Sequence, residues 1–139
     1  MIQRIQTVYL VLASVLLAAF FIIGDPVVVA YEAGWFGPAL YATAGIASLI
    51  AIIAIFLYNN RKNQRTAILA AQGVSLVLLL ALTGGLTLSG SFATITNEGL
   101  NLGLIGALAV PVVSYLLLMF ARKAVEKDIK LVKSMDRIR

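Results

Sequence analysis

The chain contains no cysteine and no histidine. Disulfides, ordinary zinc sites, His-ligated haem and thiolate-held clusters are therefore excluded. A Cys nucleophile and a His-based catalytic triad are excluded with them. Charge is also scarce, at 12% of 139 residues against about 25% in a soluble domain. Four long stretches hold no charge at all, so a proton or ion relay across them has no carrier. The two connections after the first and third stretches hold Asp25, Glu32 and Glu98 but no Lys or Arg.

The chain is instead 61% hydrophobic, with a mean hydropathy of +0.99. The apolar stretches cover about residues 5–23, 38–58, 66–88 and 102–121. Each approaches the roughly 20 residues that cross about 30 Å of hydrocarbon as a helix. Continuous apolar runs of this length are too long for barrel strands, and helices satisfy their own backbone. The sequence predicts one domain, residues 1–139, built as an all-α antiparallel bundle of four transmembrane helices. The first stretch is read as an uncleaved span, because it is long and lacks a good small-x-small motif before Gly24. With four crossings, all eleven Lys and Arg residues fall on one side. Basic residues stay on the side of insertion, which places both termini in the cytoplasm.

Between the first two stretches lie Val27-Val28-Val29-Ala30-Tyr31 and Trp35-Phe36. Between the last two lies Ser91-Phe92-Ala93-Thr94-Ile95-Thr96. β-Branched and aromatic content of this kind favours a small outer sheet. The competing expectation is an interfacial loop with Tyr31, Trp35 and Phe36 in the aromatic belt. On the other side, Asn59 to Arg65 reads as a seven-residue polar turn.

Helices in lipid associate through small residues rather than hydrophobicity. Ala44-x-x-x-Ser48, Ala47-x-x-x-Ala51 and Ala54, then Ala70, Ala71, Gly73 and Ser75, then Gly103-x-x-x-Ala107 and Gly106, are expected to face inward. Thr83-Gly84-Gly85 is expected to loosen the end of the third span, since glycine weakens a helix by about 1 kcal/mol relative to Ala. Pro111 removes a backbone bond and frees the Ala107 carbonyl, with Ser114 placed to adjust the local bonding. Gln72 is the most polar side chain inside a span and is expected to bond between helices. Gln72, Pro111 and Ser114 are the intramembrane packing or hinge candidates.

After Ala121 no Gly or Pro interrupts the chain, so the fourth helix should run on as a cytoplasmic extension over 122–139. Val125, Ile129, Val132 and Met135 make one apolar stripe on it. Its basic surface suits anionic headgroups of the cytoplasmic leaflet, a partner protein, or solvent. Membrane proximity accounts for the net charge of +5, and nucleic acid is not expected as a partner.

The opening Met1-Ile2-Gln3-Arg4-Ile5-Gln6-Thr7-Val8-Tyr9-Leu10, the turn Tyr58-Asn59-Asn60-Arg61-Lys62-Asn63-Gln64 and the stretch Ala121 to Asp128 carry a likeness. So do Leu131-Val132-Lys133-Ser134 and Asp136-Arg137-Ile138-Arg139. Together they resemble the bacterial membrane family called domain of unknown function 4293, found mostly in Bacteroidota. The resemblance implies a short four-span inner-membrane protein and no assigned activity. Its matching polar positions all fall on the basic side. The candidate partner or lipid surface is therefore Arg4, Arg61, Lys62, Gln64, Arg65, Lys127, Lys130, Lys133 and Arg137.

Chemistry-bearing residues are too few and too scattered for an enzyme, and no cofactor is expected. The expected role is a non-catalytic accessory or structural subunit of a larger membrane complex, or a homo-oligomer. The alternative is a small transporter, channel, or lipid- or apolar-ligand-binding protein, with Pro111, Gln72, Gly84 and Gly85 lining a cavity.

Overall fold

The computed structural model describes residues 2–24, 34–88 and 102–136. Among the described residues there are four α-helices: α1 (Ile2–Ile23), α2 (Phe36–Phe56), α3 (Arg61–Leu88) and α4 (Leu102–Asp136). All four are long and apolar enough to cross a membrane. The chain is a multi-pass membrane protein. The residues expected to form an outer sheet, in 25–33 and 89–101, lie outside the described set.

Each helix packs on two neighbours, in the cyclic order α1, α2, α3, α4 and back to α1. Neighbours run antiparallel. Between α1 and α4, Tyr9 meets Phe120 with ring centroids 5.9 Å apart. At the other end, a Cβ on Gly106 would stand 3.0 Å from Ile23. Between α1 and α2, Phe21 stacks on Tyr41 at 5.5 Å.

In every helix one set of buried positions follows a single rule. They are Gln6, Leu10, Ala13, Leu17, Phe20 and Gly24 from α1 onward, and Gly37, Leu40, Ala44, Ala47, Ala51 and Ala54 in α2. In α3 they are Gln64, Ile68, Ala71, Ser75, Leu78, Leu82 and Gly85; in α4, Leu104, Ala107, Pro111, Ser114, Leu118, Ala121 and Val125. The spacing alternates between three and four throughout. That is a seven-residue repeat, the pattern of a left-handed supercoiled bundle. Of the expected small residues of α2, Ala44, Ala47, Ala51 and Ala54 lie on this seam and Ser48 is buried beside it; Ala71, Ser75 and Ala107 also lie on it. Ala70 and Gly73 are exposed, so they do not pack inward as expected. Their numbers fall between the repeat positions.

Two apolar clusters fill the interior. One gathers large side chains, including Leu17, Phe20, Phe36, Leu40, Leu78 and Leu82. The other is rich in alanine, with Ala13, Ala51, Ala54, Ala71 and Ala121 around Leu10, Ile68, Leu118 and Val125. Phe36 is therefore a core residue, not a member of an interfacial belt; Trp35 beside it is exposed.

The polar turn is shorter than expected. A 3-10 turn, Leu57–Asn59, leads to Asn60, and α3 begins at Arg61. Asn60 caps it: the Asn63 N–H donates to the Asn60 side-chain oxygen at 3.3 Å. Asparagine is among the best residues for that role, so Arg61 to Arg65 is helical instead of turn. At its other end α3 stays helical through Thr83-Gly84-Gly85 to Leu88.

Candidate functional site

The described basic side chains gather at one end of the bundle, where α3 begins and α4 leaves the apolar core. A polar seam joins these two helices. Arg122 donates to the Gln72 side-chain oxygen at 3.4 Å, which gives Gln72 its interhelical bond. One turn along α4, Glu126 takes Arg65 at 2.8 Å and lies 3.7 Å from Arg122. Past it, Asp128 pairs with Arg61 at 2.8 Å. The Arg65 hydrogen bond, with Arg65, Arg122 and Lys130 nearby, holds the Glu126 carboxyl below its ordinary range. Glu126 lies beyond the apolar run that ends at Ala121. Because the folded form titrates lower, this contribution is present near neutrality and is lost only as pH falls through the acid range.

Gln64 is a correction. Its position in a basic turn suggested a contact surface, yet it is buried and its Nε2 donates to the Ala54 carbonyl at 3.1 Å. Ala54 lies in the last turn of α2, where carbonyls lack intrahelical donors, and Gln64 supplies one. Lys62, Lys127, Lys130 and Lys133 are exposed, as a contact surface requires. Arg4 stands in the first turn of α1 with its side chain outside the described set, and Arg137 lies outside the described residues.

Beside the seam lies a groove of about 630 Å³. α1 supplies Gln6, Thr7, Val8, Val11 and Leu12; the end of α2 and its turn supply Ile55, Phe56 and Tyr58. Arg61, Gln64 and Asp128 close its polar end. Gln6 is only 4% exposed, and its amide nitrogen has no partner among the described residues. Gln6 was legible as a polar residue in an apolar helix, but that it lines one groove with Arg61 and Asp128 required the fold.

A second polar feature sits mid-bundle. One serine from each helix, Ser14, Ser48, Ser75 and Ser114, is buried between the two clusters. Ser48 donates across to the Ser14 carbonyl at 3.1 Å, and Ser14 donates to Val11. The hydroxyls of Ser75 and Ser114 have no partner among the described residues. Ser114 therefore does not tend the Ala107 carbonyl freed by Pro111. A serine reaches carbonyls three or four residues back along its own helix, and Ala107 is seven back. A separate cavity of about 270 Å³ beside Pro111 is lined by Ser75, Leu79 and Tyr115. Gln72, Gly84 and Gly85 do not line it. Removing an unpaired buried hydroxyl relieves a desolvation cost, so Ser75→Ala and Ser114→Ala should each be neutral or stabilising, by up to about 1 kcal/mol. Ser48→Ala should instead destabilise by about 0.5–1.5 kcal/mol. Thermal unfolding in detergent by circular dichroism checks both signs.

Among the described residues no group of His, Cys, Asp and Glu could hold a metal ion. No curated protein and no solved structure matches the chain. A family model described as Domain of unknown function (DUF4293) matches residues 32–138. The match takes in α2, α3 and α4, and with them the whole seam; α1 and Gln6 precede it. The chain belongs to the DUF4293 family.

Proposed function

We propose that the chain is a non-catalytic inner-membrane protein with both termini in the cytoplasm, acting as an accessory or structural subunit of a larger membrane complex. The supporting observation is the fate of the charges on α4. Two of its acids, Glu126 and Asp128, are taken up by Arg65 and Arg61 of α3. Lys123, Lys127, Lys130 and Lys133 remain exposed. The apolar stripe divides in the same way: Val125 is buried, Ile129 packs against the core, and Val132 and Met135 stay exposed. Its inner half thus serves the bundle. Its outer half, with Lys130 and Lys133, is an amphipathic helical surface suited to an acidic, partly apolar partner.

Chemical cross-linking of native membranes with mass spectrometry tests this. Links from Lys62, Lys123 and Lys133 to one larger protein are expected, and Val132→Asp with Met135→Asp should remove most of them. Self-links alone would sink the reading. Orientation is tested separately, because the chain has no native cysteine to confuse labelling. Ser134→Cys should react with an impermeant maleimide in inverted vesicles and stay unreactive in intact cells. The reverse pattern would overturn the proposed topology. A second reading, a lipid- or apolar-ligand-binding protein, is favoured by the groove beside Gln6.

A further inference from the structure

The groove has a graded lining. Its polar end holds an amide donor, Gln6, beside a cation and an anion, Arg61 and Asp128. From Gln6 to Leu12 the wall advances about 9 Å along α1 and becomes apolar. Val8, Val11, Leu12 and Phe56 are all more than 40% exposed, so the groove opens on the outer face of the bundle. Its volume, about 630 Å³, falls in the range of small-molecule sites, roughly 300–1,000 Å³. Polar at one end, apolar along its length and open to the side, it has the form of a seat for a lipid headgroup and the start of one chain.

The charges specify the headgroup. Arg61 and Asp128 are 2.8 Å apart and cancel in net charge, so the site does not select a purely anionic ligand. Both keep unused capacity. The bonds between them engage Arg61 through one terminal nitrogen, Nη1. A guanidinium has five N–H donors, and a carboxylate accepts at about four positions. Among the described residues the buried Gln6 amide nitrogen has no partner, which is costly until an acceptor arrives. Two donors and one carboxylate lining the same groove complement a phosphate joined to a primary ammonium.

We propose that this groove binds one phospholipid of the phosphoethanolamine class. Its phosphate accepts from Arg61 and Gln6, its ammonium donates to Asp128, and one acyl chain lies along Val8, Val11, Leu12 and Phe56. The site is independent of the accessory-subunit reading and can fail without it.

The test uses the full chain in nanodiscs of equal parts phosphatidylethanolamine, its mono- and dimethyl derivatives, phosphatidylcholine and phosphatidylglycerol, with retained lipid read by native mass spectrometry. One phosphatidylethanolamine per chain is expected, enriched about tenfold or more over phosphatidylcholine. Occupancy should fall stepwise as methyl groups replace the N–H donors, a result that needs no variant. Asp128→Asn should flatten that series, and Gln6→Leu should lower retention of every phospholipid. Retained lipid matching the bulk mixture, or phosphatidylglycerol enriched above phosphatidylethanolamine, overturns the proposal.

Discussion

Gly85→Val should lower the stability of the bundle by about 1–3 kcal/mol, while Gly84→Ala, one residue away, should raise it by up to about 1 kcal/mol. The opposite signs follow from what each glycine faces. A Cβ on Gly85 would collide with the Phe36 ring at Cζ and stand 2.8 Å from Cε1. The ring cannot easily yield: Phe36 is 8% exposed and belongs to the cluster of large side chains. Among the described residues a Cβ on Gly84 meets nothing within 4 Å, so alanine there brings only its better helix propensity. Denaturant unfolding in mixed micelles measures both. Phe36→Leu, which shortens the opposing side chain, should recover part of the Gly85→Val loss. An unchanged Gly85→Val protein would mean that α2 can shift away, and that Gly85 is not what fixes the spacing of α2 and α3.

The same dipeptide shows what the sequence could and could not say. Paired glycines read as a weak point, because propensity is all that a local reading supplies. The helix persists because one of the pair is needed for close packing and the other lies on the open face. The bundle itself was plain in advance: uncharged runs of spanning length can only be helices, and short polar breaks return each one antiparallel. The seven-residue repeat was harder to see. In a soluble coiled coil it stands out as apolar against polar; here both faces are apolar, since one meets lipid. Only polarity and size mark the seam, through Gln6, Gln64, Ser75 and Ser114, and through the alanines of α2. The length of α4 was legible because nothing in it breaks a helix. Its division at Asp128 was not, because charge patterning along one helix cannot reveal that Glu126 and Asp128 turn toward arginines more than sixty positions earlier.

Those cross-chain pairs carry the second large expected effect. Arg61→Glu should destabilise the basic end by about 1–3 kcal/mol, and Arg65→Glu by less than about 1 kcal/mol. The Arg61–Asp128 pair is the more enclosed, with side chains 30% and 15% exposed, against 46% and 32% for Arg65–Glu126. Water screens the second pair more fully, whereas reversal at Arg61 leaves two carboxylates facing each other in a half-closed site. α4 beyond Ala121 should then loosen, although Val125 still anchors its first turn in the core. Limited trypsin digestion would read this as faster cleavage after Lys127 and Lys130, alongside the loss in unfolding free energy. The swap Arg61→Asp with Asp128→Arg keeps the pair and reverses its direction, so it should restore most of both signals. If the swap fails while each single variant is mild, the pair is not what holds α4 against α3, and the seam must depend on Arg122, Gln72 and the packing of Val125. Added salt separates the two arginines further: it should shrink the Arg65→Glu effect strongly and the Arg61→Glu effect only a little.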